Sequence, residues 1–222
     1  MEIHVYDRNL KRLGHIENHT SLQWHRKYYE CGTFELHCPV TAENLRLLKP
    51  GNIITKGDNK QEAAVIRGDQ AEEESTLVNE ITRNGYFLPV SLGDRLTGPL
   101  FNFNGTVEDA MHFMLNRMEQ IPLLQIGATT GDTTKVQFQA TYKNVLEYFT
   151  KLAKFAEIGF RIVPDFKKKT MTFETYKGVD RTQAQGENPR VIFSESYDNL
   201  NQAKHNYSDA TYKTKVIVGG AG

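Results

Sequence analysis

The residue types best able to do chemistry are concentrated in the first forty positions of the chain. They are two cysteines, Cys31 and Cys38, and five histidines, His4, His15, His19, His25 and His37. Zinc motifs of the His-Glu-x-x-His kind place two ligands one helical turn apart beside a carboxylate. The histidines here lie in segments whose pattern indicates strands and turns, so we interpret them as polar side chains on solvated strand faces. No metal-binding or cofactor-binding residue is predicted.

A nucleophilic site could be built from Cys31 and one of these histidines, since a thiolate paired with an imidazole is a common catalytic arrangement. The sequence leaves open whether two such groups meet in the fold. A pair of carboxylates suited to glycoside hydrolysis is equally open, because acidic residues are plentiful. The chain carries no Gly-x-Ser-x-Gly or phosphate-loop motif, and no strand–helix pair frames the glycine-bearing segment 127–131. We therefore expect no enzymatic activity and predict no catalytic residue.

Composition and charge exclude several classes of function. The 222 residues contain 27 basic and 27 acidic side chains, and the resulting zero net charge argues against a domain that reads nucleic acid directly. The longest apolar runs, such as Ile121–Leu124, are far shorter than the roughly 20 residues of a membrane span. The N-terminus lacks the basic and apolar segments of a signal peptide, so we expect synthesis in the cytoplasm.

The first hundred residues have the pattern of short strands separated by turns. The clearest alternation is in 33–40, where Phe34, Leu36, Cys38 and Val40 share one face, and Pro39 should end this strand or place it at an edge. Further strands are predicted at 2–6, 13–16, 53–54, 63–66 and 77–81. Many short strands at roughly ten-residue spacing favour an antiparallel β-barrel-like domain, which we assign to residues 1–103.

The period of the apolar residues changes near residue 104. Thr106 with Asp109 resembles a capping box, and the apolar residues that follow predict a helix that stops before Pro122. A second helix is predicted from Val145 to Ala156, with Gly159 as its C-terminal cap. A hairpin, 160–163 with 170–176, comes next, turning through the solvated lysines 167–169. These elements predict a small helix-on-sheet domain over residues 104–181.

Strands are predicted to resume after this segment, at 191–193 and 214–218. Residues 186–222 should therefore form the second part of the β-barrel-like domain, with the α+β domain inserted between its two parts. The sequence stops directly after a strand, so we expect this second part to be truncated. The predicted fold is thus mainly β with an α+β insertion.

Several segments, taken in order along the chain, resemble one protein family. They are Val5–Asp7, Leu13–Ile16, Thr20–Trp24, Tyr28–Leu36 (Tyr-Tyr-Glu-Cys-Gly-Thr-Phe-Glu-Leu), Gly85–Leu88, Gly93–Leu96, Tyr176–Thr182 (containing Gly-Val-Asp-Arg-Thr), Val191–Ser194 and Asp198–Leu200. Together they resemble the tail hub proteins of long-tailed phages and prophages of Gram-positive bacteria. The stretch 80–84 has fewer glycines than that family usually shows.

The resemblance implies a structural protein of the virion at the tail tip. It implies a homotrimeric hub that closes the tail tube, helps to assemble and attach the baseplate, and contacts the distal tail ring protein and the tape-measure protein. The alternative is a carbohydrate-binding β-sandwich module of a phage or cell-surface protein, in which exposed aromatic residues would form the sugar platform. The candidates for that platform are Trp24, Tyr28, Tyr29, Tyr197 and Tyr207. A cell-wall hydrolase would need a catalytic set that the sequence pattern does not show.

Overall fold

A computed structural model describes residues 1–57, 61–72, 80–200, 202, 207–208 and 214–215 of the chain. The chain divides into two compact units, Met1–Gly178 and Val179–Gly222. No helix in these described ranges is both long and apolar enough to cross a membrane.

The larger sheet of the first unit has seven strands in the order β2-β1-β5-β6-β7-β4-β3, and all neighbours are antiparallel. The strands are β1 (Ile3–Tyr6), β2 (Arg12–Ile16), β3 (Ser21–His25), β4 (Thr33–Pro39), β5 (Ile53–Lys56), β6 (Ala63–Glu72) and β7 (Glu80–Phe87). The mainly β, antiparallel fold is confirmed. In the described part of the chain the sheet stays open, with β2 and β3 at its two edges, and does not close into a barrel.

The alternation predicted for β4 is present up to Cys38, whereas Val40, predicted on the same face, lies after the end of the strand and is exposed. Phe34, Leu36 and Cys38 are buried in one core cluster, whereas Glu35 and His37 are half-buried on the other face. The strand ends at Pro39, as predicted. Of the strand predicted at 77–81, Glu80 and Ile81 lie in β7, and residues 77–79 lie outside the described ranges.

A short helix that the sequence pattern did not predict, α1 (Ala42–Leu47), covers this core cluster. The Thr41 hydroxyl caps it by accepting a hydrogen bond from the amide of Asn44 at 3.0 Å. Buried Arg83 of β7 donates from Nε to the carbonyl of Leu48 at 2.9 Å, just past the end of the helix. Six residues are too few to show a helical period, which explains why the pattern missed α1.

The remainder of the first unit is the helix-on-sheet part. Its helices are α2 (Val90–Gly93), α3 (Val107–Arg117) and α4 (Val145–Ala156). One sheet pairs β8 (Phe101–Thr106) with β10 (Lys135–Ala140), and a second has the order β11 (Gly159–Asp165), β12 (Thr170–Tyr176) and β9 (Leu124–Ile126). Phe149 of α4 is fully buried against Phe160 of β11 and Phe173 of β12, with ring centroids 5.9 and 5.3 Å away.

Thr106 is the N-cap of α3, but the return contact of Asp109 goes to the Thr106 hydroxyl and not to its main-chain amide, which the predicted capping box would require. The Thr106 hydroxyl accepts from the amide of Asp109 at 3.1 Å and donates to its carboxylate at 2.7 Å. The predicted cap of α4 was wrong, because the left-handed residue is Glu157, with φ 54°, and Gly159 is already the first residue of β11. Glycine is needed at 159 for a different reason: a Cβ there would lie 2.6 Å from the ring of Tyr176.

The second unit does not contain the strand predicted at 191–193. Val191, Ile192 and Phe193 are exposed and form no strand, and a short 3-10 helix follows at Glu195–Tyr197. The Asn199 side chain holds this segment locally, accepting from the amide of Ser194 at 2.9 Å and donating to the carbonyl of Ile192 at 2.8 Å. Of the strand predicted at 214–218, residues 216–218 lie outside the described ranges. The assignment of 1–103 and 186–222 to one domain stays a prediction.

Candidate functional site

The histidines considered as metal ligands lie in several different surroundings. His37 lies on the face of β4 opposite the core, with Nε2 2.9 Å from Glu35 and Nδ1 3.4 Å from Glu80, and the hydrogen bond to Glu35 raises its pKa. His19 is half-buried, burial lowers its pKa, and its Nδ1 has no hydrogen-bond partner. His25 is exposed on β3 beside Gln23. His4 and His15 face each other across β1 and β2.

The two thiols are poorly suited to nucleophilic attack. Burial raises the pKa of Cys31 to about 12 and that of Cys38 to about 11, so both remain protonated near neutral pH. The Cys31 thiol donates to the carbonyl of Phe87 at 3.3 Å. The thiolate that a Cys–His pair requires is therefore not favoured at either position.

The glycine-bearing segment 127–131 is held by a buried carboxylate, a feature that sequence reasoning missed. Glu108 of α3, 2% exposed, accepts from the amide and hydroxyl of Thr130 at 2.6 and 2.9 Å and from the amide of Asp132 at 2.9 Å. The Thr175 hydroxyl donates to the same carboxylate. Burial opposes ionisation of Glu108, but these hydrogen bonds outweigh it and hold the pKa below its usual range. The amides of Thr130 and Asp132 thus bind an internal acid.

Three of the five aromatic residues that could have formed a sugar platform are used inside the fold. Trp24 packs against Phe34 and Phe87 and donates from its indole nitrogen to Glu62 at 3.1 Å. Tyr29 packs against the core of the helix-on-sheet part. Tyr197 and Tyr207, which are 66% and 84% exposed, lie in the second unit.

Tyr28 joins the loop after β3 to the end of β12. Its hydroxyl accepts from the amide of Gly178 at 2.8 Å and lies 3.3 Å from the carbonyl of Tyr176. The ring of Tyr28 also packs edge-on against the ring of Tyr176, with centroids 5.4 Å apart. The phenol is therefore a structural contact.

Several clefts open in the described part of the first unit where the large sheet meets the helix-on-sheet part, and two of them contain groups that could bind a ligand. One, of about 250 Å³, contains the ion pair of Arg26 with Glu62, and beside it Arg161 pairs with Glu174, both at 2.6 Å. The other, of about 600 Å³, is lined by His4, Tyr6 and residues around the turn after β11. The arginines of the first cleft are already paired with carboxylates, and Lys27 and Glu30, which also line it, pair with each other at 3.4 Å.

The two edges of the seven-stranded sheet are candidate contact surfaces. Strands β2 and β3 each have a neighbour on one side within the described part of the chain, so each presents a row of main-chain groups on the other side. Along β3, Ser21, Gln23 and His25 are exposed. The strand contains neither proline nor lysine, the residues that commonly protect an edge from pairing.

Comparison with known proteins gives a family for the chain. Residues 2–222 match the family described as siphovirus ReqiPepy6 Gp37-like proteins. No curated protein sequence shows a significant match to this chain.

Solved structures with a similar fold include phage tail proteins. The prophage tail protein gp18 of Listeria monocytogenes EGD-e is 16% identical with a TM-score of 0.52, and the alignment covers 78% of this chain and 50% of that one. The tail protein of Neisseria meningitidis MC58 is 15% identical with a TM-score of 0.51, covering 77% and 50%.

A third similar structure comes from a secretion machine. It is the E. coli protein c3393, a type VI secretion component with structural similarity to the T4 tail proteins gp27 and gp5; it is 12% identical with a TM-score of 0.50, covering 72% and 46%. The chain thus spans about half the length of the structures it resembles. The predicted resemblance to phage tail proteins is confirmed, and the chain belongs to the siphovirus ReqiPepy6 Gp37-like family, with a fold shared with phage tail proteins.

Proposed function

We propose that this chain is a structural component of the phage tail tip: part of a homotrimeric hub that closes the tail tube and helps to assemble and attach the baseplate. It would contact the distal tail ring protein and the tape-measure protein. The observation that carries the proposal is the open seven-stranded sheet, whose outer strands β2 and β3 each have one neighbour within the described residues, in a chain of a phage tail-type family.

An assembly role would explain why β2 and β3 are left at the edges of the sheet. A row of unpaired main-chain groups is a ready template for pairing with another chain, and a monomer that kept such an edge in solution would tend to aggregate. In a ring of subunits the contacts are heterologous, so one surface of each copy meets a different surface of the next. Strands β2 and β3 differ in sequence, so they suit a contact in which one edge meets the other edge of the next subunit. A two-fold contact would instead pair each edge with its own copy.

The side-chain chemistry of the first unit also favours a function in binding neighbouring proteins through its surface. Its thiols have raised pKa values, its buried carboxylate Glu108 is saturated with hydrogen bonds, and Arg26 and Arg161 of its smaller cleft are in ion pairs. A protein that works by holding neighbours together needs shape and complementary edges and no reactive centre.

The test is the mass of the full gene product in solution, measured by light scattering over a range of concentrations, with and without the distal tail ring protein. We expect a trimer, or association that strengthens with concentration or with the partner present. An interface of this kind should bury on the order of 1,000 Å² or more in total. A folded product that remains monomeric at high concentration in both conditions would contradict the hub role and favour the carbohydrate-binding alternative.

A matched pair of variants locates the contact. Gln23→Lys places a charge on the exposed face of edge strand β3 and should weaken self-association. Asn116→Lys makes the same change of an exposed amide on α3, away from both edges, and should leave association unchanged. Equal behaviour of the two variants would show that β3 is not at the interface.

A further inference from the structure

The register of the β1–β2 hairpin brings metal-ligand side chains together on one face. Ile3 and Ile16 are paired and buried in the core, so the neighbouring pair, His4 and His15, faces the opposite side. Glu2 and Glu17 lie two positions from these histidines along the chain and share their face.

Three of these residues form a compact group of ligand atoms. One imidazole nitrogen of His15 and one carboxylate oxygen from each of Glu2 and Glu17 lie within 4.8 Å of one another. Ligand atoms around a tetrahedral ion with bonds near 2 Å are separated by roughly 3.3 Å. The group therefore needs to contract by about 1.5 Å at most. Glu2 lies nearest Nδ1 of His15, at 3.8 Å, and Glu17 nearest Nε2, at 3.4 Å, so one of these exposed side chains must also rotate to bring both carboxylates to the same nitrogen. His15 is 47% and Glu17 73% exposed.

The surrounding residues position the Glu2 carboxylate. His4 Nε2 lies 3.0 Å from Glu2 Oε1, an imidazole–carboxylate contact of the kind that orients ligands in metal sites. Arg12 Nη2 lies 3.3 Å from the same oxygen and is the competing cation. Its side chain is 52% exposed and can swing into solvent when an ion arrives.

We propose that Glu2, His15 and Glu17 bind a divalent first-row transition-metal ion, with His4 as a positioning residue for Glu2. One imidazole and two carboxylates suit zinc, manganese, iron or cobalt ions, whereas calcium and magnesium sites are built from oxygen ligands alone. Two carboxylates beside a single arginine leave a negative balance that a divalent cation neutralises. The site lies on edge strand β2, one of the edges proposed above as contacts, but its test measures metal binding and not self-association.

The test is calorimetric titration of the full chain with Zn²⁺, with Co²⁺ absorption spectra as a second readout of inner-sphere coordination. We expect one equivalent to bind, and an equal concentration of Mg²⁺ or Ca²⁺ not to compete. His15→Ala and Glu2→Gln should each lower the zinc affinity at least about tenfold, since changes in the residues around metal ions commonly lower affinity by this factor. His4→Ala should weaken it less, since His4 only positions Glu2.

Two further variants separate this site from general binding of zinc to surface histidines. Arg12→Ala removes the competing cation and should strengthen binding, whereas His25→Ala, at another exposed histidine, should change nothing. Circular dichroism checks that each variant is folded. The proposal is overturned if wild-type protein does not bind Zn²⁺ at 1:1, if His15→Ala binds as tightly as wild type, or if His25→Ala causes the larger loss.

Discussion

At the scale of single residues, the most informative group is the carboxylate of Glu108. It lies in the first turn of α3, where a negative charge favours the helix dipole, and it accepts hydrogen bonds from a loop 22 to 24 positions away. One buried side chain thus fixes the helix start, the loop 127–134 and the end of β12 relative to one another. The hydrogen bonds to its oxygens offset the cost of burying this charge.

Glu108→Gln should lower the free energy of unfolding by about 1–3 kcal/mol, because the amide nitrogen of glutamine would face donors and leave them unsatisfied. Glu147→Gln makes the same change in the first turn of α4, where the side chain is exposed, and should have a much smaller effect. Urea unfolding of the two variants measures the difference. Equal effects would mean that the loop contacts contribute nothing beyond the helix dipole.

Asp132 adds an acid-dependent contribution to stability. The Lys177 ammonium, 2.9 Å away, and hydrogen bonds from Thr134 lower the pKa of Asp132 from 3.8 to about 2. A depressed pKa means that the stabilisation is complete above about pH 4 and is lost as the pH falls toward 2. Asp132→Asn should therefore lose less stability than wild type over this range, and Lys177→Ala should behave similarly. Unfolding curves at several acidic pH values check this, and a wild-type-like slope in both variants would contradict it.

At the scale of elements, α4 shows how a helix is fixed by its apolar face. Its N-cap residue Asn144 accepts from the amide of Glu147 at 3.1 Å, and Phe149, Leu152 and Ala153 are buried against the sheet. Phe155 lies on the other side of the same helix and is 63% exposed. The helix is therefore held by one stripe of side chains and not by its length alone.

Phe149→Ala should lower the free energy of unfolding by about 3–5 kcal/mol, since it leaves a cavity between α4 and the sheet. Phe155→Ala removes the same ring from a solvated position of the same helix and should have a small effect. Chemical denaturation followed by circular dichroism gives both values. A small loss for Phe149→Ala would mean that the surrounding rings collapse into the space.

Helices and strands were predicted correctly where the pattern of apolar and capping residues lies within one continuous segment. A few neighbouring residues are enough to predict each of three features: the apolar stripe of α4, the alternation of β4 and the N-cap of α3 at Thr106. Strand β9 was missed because three residues carry no period, and its main-chain partners in β12 lie more than forty positions later. The strand predicted at 191–193 is an element that was predicted but does not form. An apolar run is compatible with a strand, but a strand forms only where another strand pairs with it.

At the scale of the whole molecule, the proposed hub role depends on the edges of the open sheet. A hub of this kind would act through its edges and surfaces, and burial raises the pKa of both thiols that were considered as nucleophiles. The carbohydrate-binding alternative would need its platform built without Trp24, Tyr28 and Tyr29, which pack inside that unit.

We expect the purified chain to leave peptidoglycan and glycan substrates intact. The measurement is clearing of cell-wall suspensions, with a known muralytic enzyme as the positive control. Clearing that disappears when one Asp, Glu, His or Cys is replaced would overturn this expectation and identify the catalytic residue directly.

The sequence by itself determined the mainly β class, the two principal helices, the capping of α3 and the resemblance to phage tail proteins, because each depends on local periodicity or on motifs within short segments. Only the tertiary structure decided the strand order, the open edges, the partners of Glu108 and the meeting of His15 with Glu2 and Glu17. Those features depend on pairing register between distant segments, where a shift of one residue would turn every side chain to the other face. Local composition does not encode that register; the combined packing of the whole sheet selects it.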